Sequence, residues 1–133
     1  MGRTDEELIS KRNELMSRDV EQVAQITNYG VNIDEKRKID LTFWAPTEQA
    51  ARVLAEACER NGMQLGLVLG PGESEANRRW LVRCHISASV SFMTTKENLV
   101  TFLLFADKYE CDYDGWGTAI VEAVAPSDTS NRK

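Results

Sequence analysis

The residue best suited to acid–base chemistry in this sequence is His85, because the chain contains a single histidine. Two candidate nucleophiles, Cys84 and Ser87, lie within two positions of it. On an extended strand, side chains two residues apart share a face at a separation of about 7 Å, whereas adjacent side chains point to opposite faces. Ser87 is therefore too far for direct activation by His85, and Cys84 points away from it. We interpret His85 as a polar residue on a strand surface, and we predict that the protein is not an enzyme.

The sequence also lacks a recognisable metal or phosphate site. Its three cysteines are too widely spaced for a Cys-x-x-Cys motif, and their odd number does not indicate a disulfide framework. Asp112 and Asp114 have the spacing of two calcium-loop ligands, but the twelfth loop position would then be Ala123 rather than a glutamate. The glycines of Gly70-Pro71-Gly72 are not followed by the Lys-Ser/Thr pair of a phosphate-binding loop. We therefore predict no metal ion and no cofactor.

The charge and composition of the chain limit the partners that it can bind. A formal net charge of −5 disfavours nonspecific binding to phosphate backbones. No apolar run approaches the roughly 18 residues that a membrane-spanning helix needs, and the first residues are too acidic for a signal peptide. A length of 133 residues with 42% hydrophobic content is typical of one globular domain. We predict a single cytoplasmic domain over residues 1–133 that binds neither a membrane nor nucleic acid directly.

The N-terminal part of the chain, residues 1–30, is predicted to be a helical extension. Thr4 and Glu7 have the spacing of a capping box, in which each side chain accepts a hydrogen bond from a backbone N–H at the helix start. We predict one helix over residues 4–18 and a second, short helical stretch over residues 19–27. The Asn-Tyr-Gly sequence that follows is typical of a break.

The rest of the domain is predicted to be a core of strands and helices over residues 36–124, followed by a frayed tail over residues 126–133. Alternating apolar residues predict strands, and apolar residues at helical spacing predict helices. The predicted elements are a strand over 36–44, a helix over 47–61, strands over 63–69 and 80–90, a helix that follows a Thr94–Glu97 capping box and ends near 109, and a strand over 118–124. This βαββαβ order predicts an α+β, ferredoxin-like sandwich, with two helices on one face of a four-stranded antiparallel sheet.

The other face of the predicted sheet carries polar side chains, and we call it the polar sheet face. Its members are Lys38, Asp40, Thr42, Arg83, His85, Ser87 and Ser89. Sheets of this topology that bind RNA project aromatic rings from their central strands, and residues 81–89 contain none. We predict that the polar sheet face binds another protein. The predicted partner contacts are Lys38, Arg83, His85, Asp112 and Asp114.

The segment 112–117, Asp-Tyr-Asp-Gly-Trp-Gly, is the most distinctive in the chain. Two glycines around a tryptophan indicate a kinked or bulged strand entry that aims the indole inward. On this interpretation Trp116 fills the core and Asp114 makes a local turn hydrogen bond. A direct contact of this segment with a partner is the alternative.

Residues 108–118, Lys-Tyr-Glu-Cys-Asp-Tyr-Asp-Gly-Trp-Gly-Thr, resemble the C-terminal signature of the regulator of ribonuclease E activity B family, RraB. The order of predicted elements over residues 4–124 agrees with that family. The resemblance implies a ferredoxin-like fold and a non-enzymatic bacterial protein that binds the noncatalytic scaffold portion of ribonuclease E and restrains RNA decay. It also assigns a structural role to the signature residues Tyr113, Gly115, Trp116 and Gly117.

The C-terminal residues of the sequence leave a second function open. The best-known members of that family end in a long acidic tail, whereas this sequence ends in Ser-Asp-Thr-Ser-Asn-Arg-Lys. An acidic tail steers a protein toward a basic partner. The alternative is therefore a small-molecule-binding or homo-oligomeric module of the same fold with a different partner.

Overall fold

The computed structural model describes residues 4–70 and 79–119. Its elements are α1 (Asp5–Asn28), β1 (Lys36–Ala45), α2 (Glu48–Arg60), β2 (Gln64–Leu69), β3 (Trp80–Ser89), α3 (Val90–Met93), α4 (Lys96–Lys108) and β4 (Asp112–Gly117). After α1 the order is βαββαβ, with the short helix α3 as an addition that the sequence did not predict. The four strands form one antiparallel sheet in the order β2-β3-β1-β4. The predicted α+β, ferredoxin-like fold is confirmed.

The core lies between one face of this sheet and the helices α2 and α4. On β1 the predicted alternation is confirmed, because Ile39, Leu41, Phe43 and Ala45 are fully buried and the residues between them are partly exposed. Burial of a large apolar side chain stabilises the fold by about 1.5–3 kcal/mol. The helices contribute Ala51, Leu54, Ala55 and Cys58 from α2 and Leu99, Phe102, Leu103 and Ala106 from α4.

The N-terminal extension is one continuous helix, α1, rather than the two helical stretches that the sequence predicted. The predicted capping box is confirmed, with Thr4 and Glu7 each accepting a hydrogen bond from the other's backbone N–H. Leu15 and Ile26 are both buried and lie eleven residues apart, which places them on the same side of a helix. Because this buried stripe continues past residue 18 without a glycine or proline, nothing in the chain interrupts the helix before Tyr29.

Two further predictions of element boundaries are wrong. Helix α4 is capped by Thr95, whose side chain accepts a hydrogen bond from the Asn98 N–H, and not by a Thr94–Glu97 capping box. The last strand is β4 itself, so the segment predicted to lead into a strand over 118–124 is the strand. Residues 118 and 119 are not in a strand, and the remainder of that prediction, like the predicted tail over 126–133, lies outside the described residues.

Candidate functional site: the polar sheet face and β4

The three basic residues predicted as partner contacts lie together on the polar sheet face. In the register of β1 and β3, Lys38 pairs with Ser87 and His85 pairs with Asp40, with Arg83 two residues further along β3. Lys38 and Arg83 are exposed, and His85 is half-buried. An open cleft of about 540 Å³ adjoins Lys38 and His85. This region therefore presents positive charge on the surface of a protein whose net charge is negative.

His85 is held by an amide rather than by an acid or a nucleophile. Its Nε2 atom lies 2.8 Å from the Gln64 Oε1 atom on the neighbouring strand β2. Cys84 is buried and directs its thiol to the Met63 sulfur at 3.6 Å. In the described parts of the chain, no three His, Cys, Asp or Glu side chains form a group that could hold a metal ion. The geometry around His85 fits a surface contact better than acid–base chemistry.

Asp114 links three elements at the β4 edge of the sheet. Its Oδ2 atom accepts a hydrogen bond from the Trp44 indole at 3.2 Å, and its Oδ1 atom lies 3.4 Å from the Arg18 guanidinium and 3.6 Å from the Lys11 ammonium. The hydrogen-bond partners lie 70 and 96 residues away in the chain. The predicted local turn hydrogen bond of Asp114 is therefore wrong, because its carboxylate joins β4 to β1 and to α1.

Asp112 lies beside Trp44 at the same end of the sheet. It pairs with Trp44 across β1 and β4, and its carboxylate is 3.9 Å from the Arg79 guanidinium. Arg79 also lies 4.7 Å from the centre of the Trp44 ring, a cation–π distance. Lys38 is six residues from Trp44 on β1, which corresponds to about 20 Å. Arg83 is nearer, because it pairs with Thr42, two residues from Trp44. The five predicted contacts thus form a basic group of Lys38, His85 and Arg83 and an acidic group of Asp112 and Asp114 that adjoins the Arg83 end of the basic group.

Trp116 fills the core, as predicted, and makes a buried hydrogen bond that the sequence did not reveal. Its indole Nε1 donates to Asp19 Oδ1 at 2.9 Å, and both side chains are less than a tenth exposed. Burial raises the pKa of the Asp19 carboxyl, which the Trp116 hydrogen bond and the Arg18 charge lower in part. The sequence contains one indication of this role of Asp19, because the residue lies four positions after buried Leu15, on the apolar side of α1. A carboxylate there requires a donor.

The predicted bulge in the signature segment is confirmed at Gly115. The register of β1 and β4 shifts between Leu41 and Phe43, and Gly115 has a φ of +103°, a conformation that side chains disfavour. A Cβ atom there would lie 3.4 Å from Arg18 Nη2 and 3.7 Å from Leu15 Cδ2. Glycine at this position lets α1 approach β4 closely.

Of the two remaining signature residues, Tyr113 is part of the core, whereas Gly117 is not required by any close contact. Tyr113 is 1% exposed, and its ring centre lies 5.3 Å from that of Phe102 and 5.4 Å from that of Phe43. Burial raises the pKa of the Tyr113 hydroxyl. At Gly117 a Cβ atom would meet no atom within 4 Å, and nothing in the structure explains a glycine there.

Most of the chain matches a known protein family. Residues 17–118 match the protein family described as regulator of ribonuclease activity B, RraB. The chain belongs to the RraB family. The family comprises regulators of ribonuclease activity rather than enzymes, and the resemblance noted in the sequence is confirmed. No curated protein matches the chain.

The RraB match begins inside α1 and ends at Thr118, so it includes both partners of the Asp19–Trp116 hydrogen bond. Thr118 itself ties the end of β4 to β1. Its hydroxyl donates to the Lys38 carbonyl at 2.7 Å and accepts from Arg37 Nε at 2.9 Å. The matched region therefore contains both the contacts that hold α1 on β4 and those that hold β4 on β1.

The cysteines of this RraB-family chain are free and buried. Burial raises the pKa of Cys111 to about 12, and the neighbouring Cys58 thiol together with burial raises the pKa of Cys84. A thiol must ionise before it acts as a nucleophile or metal ligand, so these two cysteines behave as core residues. No helix in the described ranges is long and apolar enough to cross a membrane.

Proposed function

We propose that this RraB-family chain is a non-enzymatic regulator of RNA decay that binds ribonuclease E in the cytoplasm. The proposed binding region on the enzyme is its noncatalytic scaffold portion, and the proposed docking surface is the polar sheet face. The observation that carries the proposal is the exposure of Lys38 and Arg83 on this face, while the opposite face of the same sheet is filled by the core. Family membership supports the coarser part of the proposal, regulation of a ribonuclease.

The basic group of Lys38, Arg83 and His85 is the proposed centre of the contact. Arginine is enriched among the residues that carry most of the binding energy of protein interfaces, because its planar head bonds carboxylates and carbonyls in a fixed geometry. Lysine and histidine add charge and hydrogen-bond donors beside it. These groups are already held on two paired strands, so binding orders little backbone.

The acidic group of Asp112 and Asp114 is the proposed rim of the contact. Asp114 is already bonded to the Trp44 indole, so it acts on a partner largely through the position of that ring. Charged rim residues alter the association rate and its salt dependence more than they alter stability. We therefore expect substitutions in the acidic group to change binding less than substitutions in the basic group.

The proposal is tested by titration calorimetry of the full chain with the purified scaffold portion of ribonuclease E, together with an RNA-decay assay. We expect saturable binding and slower decay. Combining Lys38→Gln with Arg83→Gln should weaken binding at least about tenfold, equal to about 1.4 kcal/mol. The matched control combines Lys96→Gln with Arg60→Gln, which removes two positive charges from the helix side of the sheet and should change the affinity less than about twofold.

Absence of binding to the scaffold portion, or equal effects of the two double variants, contradicts the proposal. Thermal unfolding of each variant separates a binding effect from a folding effect, because exposed substitutions usually change stability by less than about 0.5 kcal/mol. Light scattering of the same samples detects the alternative, a homo-oligomeric module, as a mass that rises with concentration.

A further inference from the structure

One edge of the sheet is longer than the strand that covers it. Strand β3 pairs with β1 along its whole length, as far as the pair Ser89–Lys36. Its pairing with β2 stops at His85, which faces Gln64. Residues 86–89 therefore have β1 on one side and, among the residues that the structure describes, no strand on the other. We call this segment the free β3 edge.

The free β3 edge has backbone groups available for a further strand. In an antiparallel pair, successive residues direct their N–H and C=O groups alternately toward and away from the partner strand. Two of the four residues therefore point these groups away from β1, toward the side that β2 leaves empty. A segment of this length spans about 13 Å. Exposed strand edges of this kind bind extended peptides by adding a strand to the sheet.

Two open clefts follow the free β3 edge and meet at Ile86 and Ser87. The first, of about 540 Å³, extends to Lys38 and to the turn at Gly62. The second, of about 370 Å³, extends to Phe92. Together the clefts leave room beside the backbone for the side chains of an added segment.

The side chains around the edge define the chemistry of an occupant. Lys36 and Lys38 are exposed, and Asp34 is the single carboxylate that lines either cleft. Phe92 is 46% exposed, and Ile86 beside it is half-buried. Because side chains of an extended segment alternate between faces, acids on one face would approach the lysines while apolar residues on the other approach Phe92.

We propose that the free β3 edge binds an extended segment of a partner protein in which acidic and apolar residues alternate. The segment adds to the sheet in line with β2, and its backbone bonds the outward N–H and C=O groups of residues 86–89. This proposal goes beyond docking on the polar sheet face, because it concerns the backbone edge that adjoins that face and shares Lys38 with it, and it does not depend on ribonuclease E. A second copy of the chain fits less well, because its own segment 86–89, Ile-Ser-Ala-Ser, carries no acidic residue that could approach Lys36 and Lys38.

The test uses the full ¹⁵N-labelled chain and an acetylated, amidated hexapeptide of alternating glutamate and valine. We expect amide shifts centred on residues 86–89 and slower hydrogen exchange at two of these four amides. A Lys38→Glu variant should weaken binding at least about tenfold, and Lys96→Glu, with the same charge change on the helix side, by less than about twofold. A glutamate–proline hexapeptide has the same charge but lacks the proline N–H donors, and it should bind at least about tenfold more weakly.

Several outcomes overturn the proposal. One is a set of amide shifts that lies away from residues 86–89. Another is binding of the proline peptide, or of a lysine–valine peptide, that is as tight as binding of the glutamate–valine peptide. A third is absence of binding at about 1 mM peptide, the affinity that corresponds to about −4 kcal/mol. Slow exchange of these amides before peptide is added also contradicts it, because the edge is then already occupied. Dilution distinguishes the source in that case, since protection by a second copy disappears and protection from within the chain persists.

Discussion

The two edges of the sheet differ in whether their backbone groups are covered. On the β4 side, α1 lies along the strand, and Arg18 and Gln22 donate to the carbonyls of Asp114 and Trp116 at 3.0 and 3.1 Å. On the β3 side, residues 86–89 extend beyond β2 with no comparable cover in the described residues. A covered edge cannot accept another strand. The comparison leads us to expect that contacts on the β4 side contribute to stability, whereas the proposed binding surfaces are the β3 side and the polar sheet face.

The comparison also separates two kinds of charged residue. Asp19 and Arg18 bond to β4, and substitutions of them should change stability before they affect any partner. Lys38 and Arg83 are exposed, and their loss should leave stability nearly unchanged. Unfolding measurements on the β4 side therefore test the comparison, and three substitutions there are expected to differ in size.

The largest effect is expected from Trp116→Ala. The substitution empties a site that is 7% exposed and removes the donor to the buried Asp19 carboxylate. Truncation of a large aromatic residue in a core costs about 3–5 kcal/mol. Denaturant unfolding measures the loss. A loss below about 1 kcal/mol, or a loss of partner binding with unchanged unfolding, would show that Trp116 is a binding residue and not a core residue.

A smaller effect is expected from Gly115→Ala. The new methyl group would require a strained backbone at φ +103° and would contact Arg18 and Leu15. Strain of this kind costs about 1–3 kcal/mol. Gly117→Ala is the matched control on the same strand, because its methyl group meets nothing within 4 Å. Equal losses for the two substitutions would remove the evidence that α1 is closely fitted to the bulge.

The smallest effect is expected from Asp19→Asn, and it depends on pH. Burial raises the pKa of Asp19 in the folded protein above its ordinary value of 3.8. The stability that protonated Asp19 contributes is therefore fully present below about pH 3.8 and is lost as the pH rises through the raised pKa. Asparagine keeps an oxygen that can accept from Trp116 and carries no charge to desolvate.

We expect the unfolding free energies of the original chain and Asp19→Asn to be similar at acidic pH. As the pH rises, the difference should move in favour of the variant. Urea unfolding at several pH values measures it, and Asp112→Asn, at a half-buried position at the start of β4, is the control. A difference that does not change with pH would mean that the folded protein leaves the pKa of Asp19 unperturbed.

The sequence predicted the sheet better than it predicted the parts that contact it. Strict alternation on β1 identified its buried face, and the βαββαβ order limited the topology to one fold. On α2 the helical spacing of apolar residues includes the buried Leu54 and Cys58 but also Val53, which is exposed. The signature was not recognised as strand β4, because glycine is depleted in strands. In the folded protein the bulge at Gly115 and the side chains of α1 complete its hydrogen bonds.

The candidate site was also predicted only in part, because strand alternation is a local pattern whereas contacts between distant segments are not. Strand alternation placed Lys38, Arg83 and His85 on one face, and the structure confirms that placement. The roles of Asp114 and Asp19 depend on partners 70 to 97 residues away. No local pattern identifies such partners, so the sequence indicated only that a carboxylate on an apolar helix face needs a donor.

The sequence by itself determined which side chains face the core, because a strand alternates every residue and a helix repeats every 3.6 residues on any surface. It also places the chain in the RraB family, through the match over residues 17–118. Only the tertiary structure decided which strand edge is covered and which has no further strand among the described residues. That outcome depends on where α1 packs and on where β2 ends, and both are set by contacts between segments far apart in the chain.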